Sequence, residues 1–526
     1  MPANYRDLRL RSTAVTPRRR IAFVLTVFAA LALSGCVAPV HQVTAPTTSA
    51  NAQTPPPSAP AGAQRFYTQH VNWSSCPQGT RADQCATVEV PLDWAHPQGS
   101  TIQLAVARDH ASGKNPVGSI LVNPGGPGGS AIDFLSTVDT IMSVEVRADY
   151  NLVAFDPRGV QRSEPVKCYD GPQMDELLAA DFNLSTDAGV QELNDARASF
   201  SKACAANTGD VLGHVDTVSS ARDMDVVRAL VGDTHLNYLG YSYGTKLGAT
   251  YAALFPTSVG RMVLDSAVDP TLDADQMAAG QAVGFEGALR AYVTSCLSGS
   301  VCPMHGSVEN AMSQIKTMVD STHTHPLPTY SGRQLTTPLA ATGIAYSLYS
   351  PRLWPGLTTA LRAAFSGDGT ALLALSDAAH HRAADGTYTT NTTAASSAIN
   401  CLDLKGTTDV AQMRAHAAEI EKAAPTVGEF FSFSGIGCAQ WPEPYVGGLP
   451  DYSAKGAPPI LVIGTTNDPA TPYVWAQSLA KKLSSGVLLT HVGEGHGVYG
   501  MGNQCADNAV DDYFLDGTTP AVGTRC

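Results

Sequence analysis

The chain has 526 residues, 44% of them hydrophobic and 15% charged, which is long and apolar enough for more than one ordinary core and excludes a disordered or fibrous protein. Its formal net charge is −13, yet residues 1–35 hold six arginines and one aspartate, a net +5, so the remainder stands near −18. That balance, with no basic cluster after residue 35, excludes nucleic acid and anionic membrane surfaces as expected partners.

In chain order, the first feature is the Arg-Arg-Arg run at 18–20, followed by an apolar run at 21–33. Together they read as the basic and apolar regions of an export signal, the second too short to span a bilayer. Leu33-Ser34-Gly35-Cys36 closes the segment in the manner of a bacterial lipobox. Cleavage would then fall before Cys36, whose sulfur and new amino group would carry acyl chains and anchor the protein outside the cell membrane. Residues 37–64 are mostly Ala, Pro, Thr, Ser and Gln. They cannot bury enough apolar surface to fold and are expected to form a tether.

Setting Cys36 aside leaves ten of the eleven cysteines, an even number that suits an oxidising compartment. They fall in sequential couples: Cys76/Cys85, Cys168/Cys204, Cys296/Cys302, Cys401/Cys438 and Cys505/Cys526. Neighbour pairing is the expectation among roughly 945 connectivities, nine times the number for eight cysteines. No CxxC couple or His-x-x-x-His set accompanies them, so no metal or other cofactor is expected.

Short apolar strands are predicted at 87–92, 102–107, 119–122 and 152–155. An amphipathic helix at 221–231, a strand at 236–239, a helix at 246–255 and a strand at 261–264 follow. Such alternation implies an α/β architecture with a mostly parallel sheet covered by helices. After Pro270 the pattern changes, and 271–450 is Ala-rich and helical with polar breaks at 365–370 and 384–396. Sheet character returns at 459–464 and 487–491. The expected organisation is a core over 65–270 and 451–526, interrupted after its sixth strand by a mainly helical lid over 271–450.

Between the strand at 236–239 and the helix at 246–255 lies Gly240-Tyr241-Ser242-Tyr243-Gly244. Gly-x-Ser-x-Gly at a strand-to-helix turn is the pattern of a nucleophile elbow, with glycines that let strand and helix pass closely. A serine hydroxyl barely ionises at neutral pH, so Ser242 needs a base, and the base needs an orienting acid. Asp468 follows the strand at 459–464, and His496 sits between Gly495 and Gly497 after the strand at 487–491. The order Ser242, Asp468, His496 is that of the α/β-hydrolase fold, which is therefore the expected fold class. Asp265 is the rival acid and His491 the rival base. Negative charge on a substrate oxygen also needs hydrogen-bond donors. The loop Asn123-Pro124-Gly125-Gly126-Pro127-Gly128-Gly129 follows the third strand. Gly126 and Tyr243 N–H are the expected donors, with Gly125 as the alternative.

These segments, with Asp156-Pro157-Arg158-Gly159, Val263-Leu264-Asp265, Cys438-Ala439-Gln440-Trp441-Pro442 and Asp468-Pro469-Ala470-Thr471-Pro472, resemble the secreted tripeptidyl aminopeptidases of actinobacteria. That group is related to proline iminopeptidases and includes mycobacterial cell-envelope members described as carboxylesterase or protease. The resemblance spans nearly all of residues 70–526. Asn123 stands where proline iminopeptidases usually have His, a departure from strict proline specificity. The resemblance implies an exported serine peptidase that releases short peptides from free N-termini. An acidic residue should then hold the substrate ammonium, with Asp403 and Glu443 as candidates and Glu494 a third. The alternative substrate is an ester. A non-catalytic surface protein is the remaining reading, and it would require a missing member of the catalytic set.

Overall fold

A computed structural model describes residues 59–526. The signal, Cys36 and residues 37–58 of the expected tether lie outside the described residues. Folded structure begins slightly before residue 65: Ala63 is fully buried, and the short helix Gln64–Tyr67 packs Phe66 and Tyr67 into the core.

Six strands precede the long helical segment: β1 (Gln84–Pro91), β2 (Thr101–Asp109), β3 (Gly118–Asn123), β4 (Tyr150–Phe155), β5 (Leu236–Tyr241) and β6 (Val259–Asp265). Two-residue strands β7 (Leu327–Pro328) and β8 (Gln334–Leu335) pair with each other inside that segment, and β9 (Ile460–Asn467) and β10 (Gly486–Glu494) follow it. The main sheet has eight strands in the order β1-β2-β4-β3-β5-β6-β9-β10. β2 runs antiparallel to both its neighbours, and every later pair is parallel. This is the α/β-hydrolase fold expected from the sequence.

The inner parallel strands β3, β4, β5, β6 and β9 are buried on both faces, which is why they read as continuous apolar runs rather than alternating ones. In β9, Ile460 and Val462 face one core while Leu461 and Ile463 face the other, and β4 divides Val153/Phe155 from Leu152/Ala154 in the same way. Helices Thr217–Leu230, Tyr243–Leu254 and Tyr473–Lys482 cover the first face. Helices Ala131–Ile141 and Gln504–Asp516 cover the second. The register pairs Asn123 with Gly240 and Tyr241 with Asp265, so the carboxyl ends of β3, β5 and β6 share one edge. Ligand sites of open parallel sheets form at that edge.

Between β6 and β9 the chain is mostly helical. Helices from Ala274–Ser298 to Thr370–Ala379 surround a separate core of residues such as Leu289, Ile315, Leu339 and Leu361. Thr392–Asp403 packs into the first sheet core, and Val410–Ala423 packs into smaller clusters. The polar stretch 392–396, expected as a break, instead opens the helix Thr392–Asp403. A second helical excursion was not anticipated. Gly171–Ala179 and Asp187–Thr208 leave the sheet after β4, and Leu178 and Val190 pack against residues of the later helices. The cysteines pair as sequence neighbours: Cys76–Cys85, Cys168–Cys204, Cys296–Cys302, Cys401–Cys438 and Cys505–Cys526.

Candidate active site

Ser242 stands between β5 and the helix Tyr243–Leu254 with φ 55° and ψ −126°. That left-handed conformation costs a non-glycine residue about 1–3 kcal/mol and persists only where the surroundings impose it. The glycines explain the tightness. A Cβ on Gly240 would fall 2.5 Å from Tyr238 Cε1, and one on Gly244 would fall 2.8 Å from Asn123 O. Ser242 N–H donates to Asp265 O at 3.0 Å, and Thr245 N–H and Oγ1 donate to Ser242 O at 2.9 and 2.6 Å. Tyr243 N–H opens the helix and has no acceptor within it, and the Ser242 side chain does not cap it.

At the ends of β9 and β10 the structure brings Asp468 and His496 into contact. His496 Nδ1 lies 2.8 and 3.0 Å from the two Asp468 oxygens. Thr471 fixes that carboxylate, its Oγ1 donating to Oδ2 at 3.0 Å and its N–H to Oδ1 at 2.9 Å. Ala470 N–H adds a third donor at 3.0 Å. A carboxylate on Nδ1 leaves Nε2 as the ring nitrogen with a free lone pair. Burial alone would push the His496 imidazole down, but the Asp468 carboxylate overrides it and holds the group above its ordinary value, with Asp265 adding to the effect. The Tyr349 ring meets His496 edge-on at 5.3 Å, and Tyr349 O accepts His496 N–H at 2.9 Å.

The rivals are engaged elsewhere. Asp265 Oδ2 accepts the N–H groups of Val498 and Tyr499. His491 Nδ1 is hydrogen-bonded to Asn503 Nδ2 at 2.8 Å.

The glycine-rich loop lies against the elbow, since a Cβ on Gly125 would sit 2.5 Å from Tyr241 O and 2.9 Å from Ser242 Cβ. Gly125 and Gly126 have φ of 91° and 113°, open to glycine and strained for other residues. Gly125 N–H donates to Asn123 Oδ1 at 2.9 Å and is therefore committed. Gly126 N–H has no acceptor among the described residues. Below the loop, Ser130 caps the helix Ala131–Ile141 and donates to the buried Asp156 at 2.6 Å. Above it, Thr392 Oγ1 donates to Gly128 O at 3.2 Å, which seats the helix Thr392–Asp403 as a roof.

Comparison with known proteins finds relatives over most of the chain. A family profile described as "TAP-like protein" matches residues 424–526. The serine protease Hip1 of Mycobacterium tuberculosis (H37Rv) is 36% identical over 87% of this chain and 91% of its own length. Carboxylesterase B of the same organism is 36% identical over 86% of this chain and 89% of its own length. The tripeptidyl aminopeptidase of Streptomyces lividans is 31% identical over 89% of this chain and 88% of its own length. The chain belongs to this family of tripeptidyl aminopeptidase-like serine hydrolases.

As a member of that family it is an α/β serine hydrolase whose relatives include peptidases and an esterase. One expectation about its substrate contacts needs correction. Asp403 does not stand open to an ammonium group: it is 4% exposed, forms an ion pair with Lys246 Nζ at 3.0 Å and accepts Thr217 N–H at 2.9 Å and Thr217 Oγ1. Its charge is already matched. Thr217 Oγ1 also bonds the Tyr243 hydroxyl at 2.6 Å, so this network braces the residue after the nucleophile. Glu443 is half-buried beside the turn at Gly213 and carries no ion pair among the described residues. Glu494 is bonded to Asn467 Nδ2. Sequence reasoning gave Arg158 no role. It is fully buried, doubly bonded to Asp223 at 2.7 and 2.8 Å, and donates to the carbonyls of Pro91, Leu92 and His214. No local pattern identifies partners so distant in sequence.

Proposed function

We propose that this hydrolase works through a covalent acyl-enzyme on Ser242. Ser242 Oγ attacks the substrate carbonyl, His496 Nε2 accepts the hydroxyl proton and returns it to the leaving group, and Asp468 holds the imidazole in the required tautomer. Gly126 and Tyr243 N–H stabilise the oxyanion, and water then hydrolyses the acyl-enzyme with His496 again as base. One observation carries the reading: the His496–Asp468 contact at 2.8 Å stands at the same sheet edge as a strained serine whose N–H is bonded to Asp265, the residue that also holds the loop after His496.

The substrate reading is an aminopeptidase that releases tripeptides from free N-termini, in keeping with the Streptomyces relative. Glu443, uncommitted among the described residues, is the candidate anchor for the substrate ammonium. The lid over 271–450 would gate access. A second reading, esterase action, has its own support: the lid carries a partly open, mainly apolar cavity of about 270 Å³ lined by residues such as Phe285, Leu289, Ile344 and Phe431, next to rather than around the catalytic residues. The protein acts outside the cytoplasm, tethered through lipid on Cys36. The five disulfides support export, since such bonds persist in oxidising compartments.

The test gives purified protein and its Ser242→Ala variant chromogenic tripeptides and short-chain esters, with and without a blocking group on the N-terminus. Cleavage of free tripeptides and none of blocked ones supports the aminopeptidase. Preference for esters supports the second reading, and turnover of neither class removes both.

A further inference from the structure

The last residue of β6 and the one after it hold the base loop more completely than its sequence suggests. Asp265 Oδ2 accepts Val498 N–H at 3.0 Å and Tyr499 N–H at 2.8 Å. The next residue, Ser266, has φ 54°, and its Oγ accepts Gly497 N–H at 2.7 Å. With His496 N–H on Tyr349 O, four consecutive amide groups, from His496 to Tyr499, are satisfied by fixed acceptors. The same Asp265 accepts Ser242 N–H through its backbone carbonyl at 3.0 Å. One residue therefore ties the nucleophile turn to the loop of the base.

A bracing role alone leaves the carboxylate unexplained. Asp265 is fully buried, and its Oδ1 has no hydrogen-bond partner among the described residues. A buried acceptor without a partner costs free energy, and an ionised one costs more.

We propose that Asp265 is a positioning residue of the catalytic site, a second carboxylate that fixes the His496 loop and brings a buried negative charge to it. The inference rests on the Ser242–His496–Asp468 reading above. The titratable groups facing Asp265 are His496 and Asp468 on the loops after β10 and β9, with Tyr241 on β5 and Tyr499 beyond the base. Burial pushes the Asp265 carboxyl up to about 6, against the pull of the Tyr499 and Val498 amides and of His496, while Asp468 adds to the rise. Its negative charge in turn favours the protonated imidazole. Asp265→Asn keeps the shape and removes the charge.

The experiment compares pH profiles of kcat/KM for the wild type, Asp265→Asn and Ser266→Ala. A neutral imidazole is the base, so removing the Asp265 charge moves the acidic limb to lower pH. Ser266→Ala removes one anchor without a charge, so it lowers kcat and leaves that limb in place. An unmoved limb in Asp265→Asn, accompanied only by a lower Tm, overturns the proposal and makes Asp265 a fold residue. If Asp265→Asn does not fold, NMR titration of the His496 imidazole in Ser242→Ala protein decides. Two inflections, one near pH 6 from Asp265, support the proposal, and a single inflection contradicts it. Retained activity in Ser242→Ala would instead sink the underlying reading, whatever the pH profiles show.

Discussion

At the scale of single residues, the site divides into groups that do chemistry and groups that hold them. Ser242→Ala should lower kcat about 10⁶-fold with the far-UV spectrum unchanged, and Asp468→Asn about 10⁴-fold, because it leaves the imidazole in the wrong tautomer. Steady-state assays on whichever substrate the protein turns over would check both. The raised His496 group sets the direction of the pH dependence: activity needs the neutral imidazole, so the acidic limb should lie above the ordinary histidine value of 6.5. A limb below that value would mean that burial of the imidazole outweighs the Asp468 carboxylate. Gly126→Ala should cost about 10²–10³-fold in kcat, since it strains a residue at φ 113° and displaces an oxyanion donor. Ser242, Asp468 and His496 were legible because each sits where a strand ends, two of them between glycines. Asp403 is not the expected ammonium anchor, because nothing near it in the sequence points to Lys246 or to Thr217, the latter 186 positions away.

Between elements, the Asp403–Lys246 pair joins the helix Thr392–Asp403 to the helix that begins at the nucleophile. Both side chains are buried, at 1% and 5% exposure. Removing one partner strands the other charge, so Asp403→Ala should destabilise the protein by about 3–5 kcal/mol in denaturant unfolding. A double variant with apolar residues at both positions should recover much of that loss, because a buried pair contributes little net stability over well-packed apolar groups. Lack of recovery would point to Thr217, which shares the Asp403 carboxylate, as the dominant partner. Helix boundaries were harder to read than strands. The Thr- and Ser-rich stretch 392–396 looks like a loop by composition, yet it starts a helix whose Ala394, Ala395 and Ala398 pack into the core. Tertiary burial of those alanines outweighs the weak local preference of their neighbours.

For the whole molecule, a mostly parallel sheet covered by helices followed from apolar runs alternating with helical patterns, while the strand order and the helical excursion over residues 171–208 did not. Its contacts are with residues such as Met413 and Phe433, far along the chain, and no periodicity within it announces them. Disulfides stabilise what such distant contacts assemble. Cys505–Cys526 ties the last helix to the C-terminus, whose Cys526 N–H also bonds Thr490 O on β10 at 2.7 Å. Replacing both cysteines with serine should cost about 2–4 kcal/mol and lower Tm without abolishing activity. Calorimetry and assays run together would check it. The most direct test of the central claim is covalent. Treating the wild type and His496→Ala with a fluorophosphonate and mapping the adduct by mass spectrometry should find one modified residue, Ser242, in the wild type and strongly slowed labelling in the variant. An adduct on another residue, or equal labelling rates in both proteins, would contradict it.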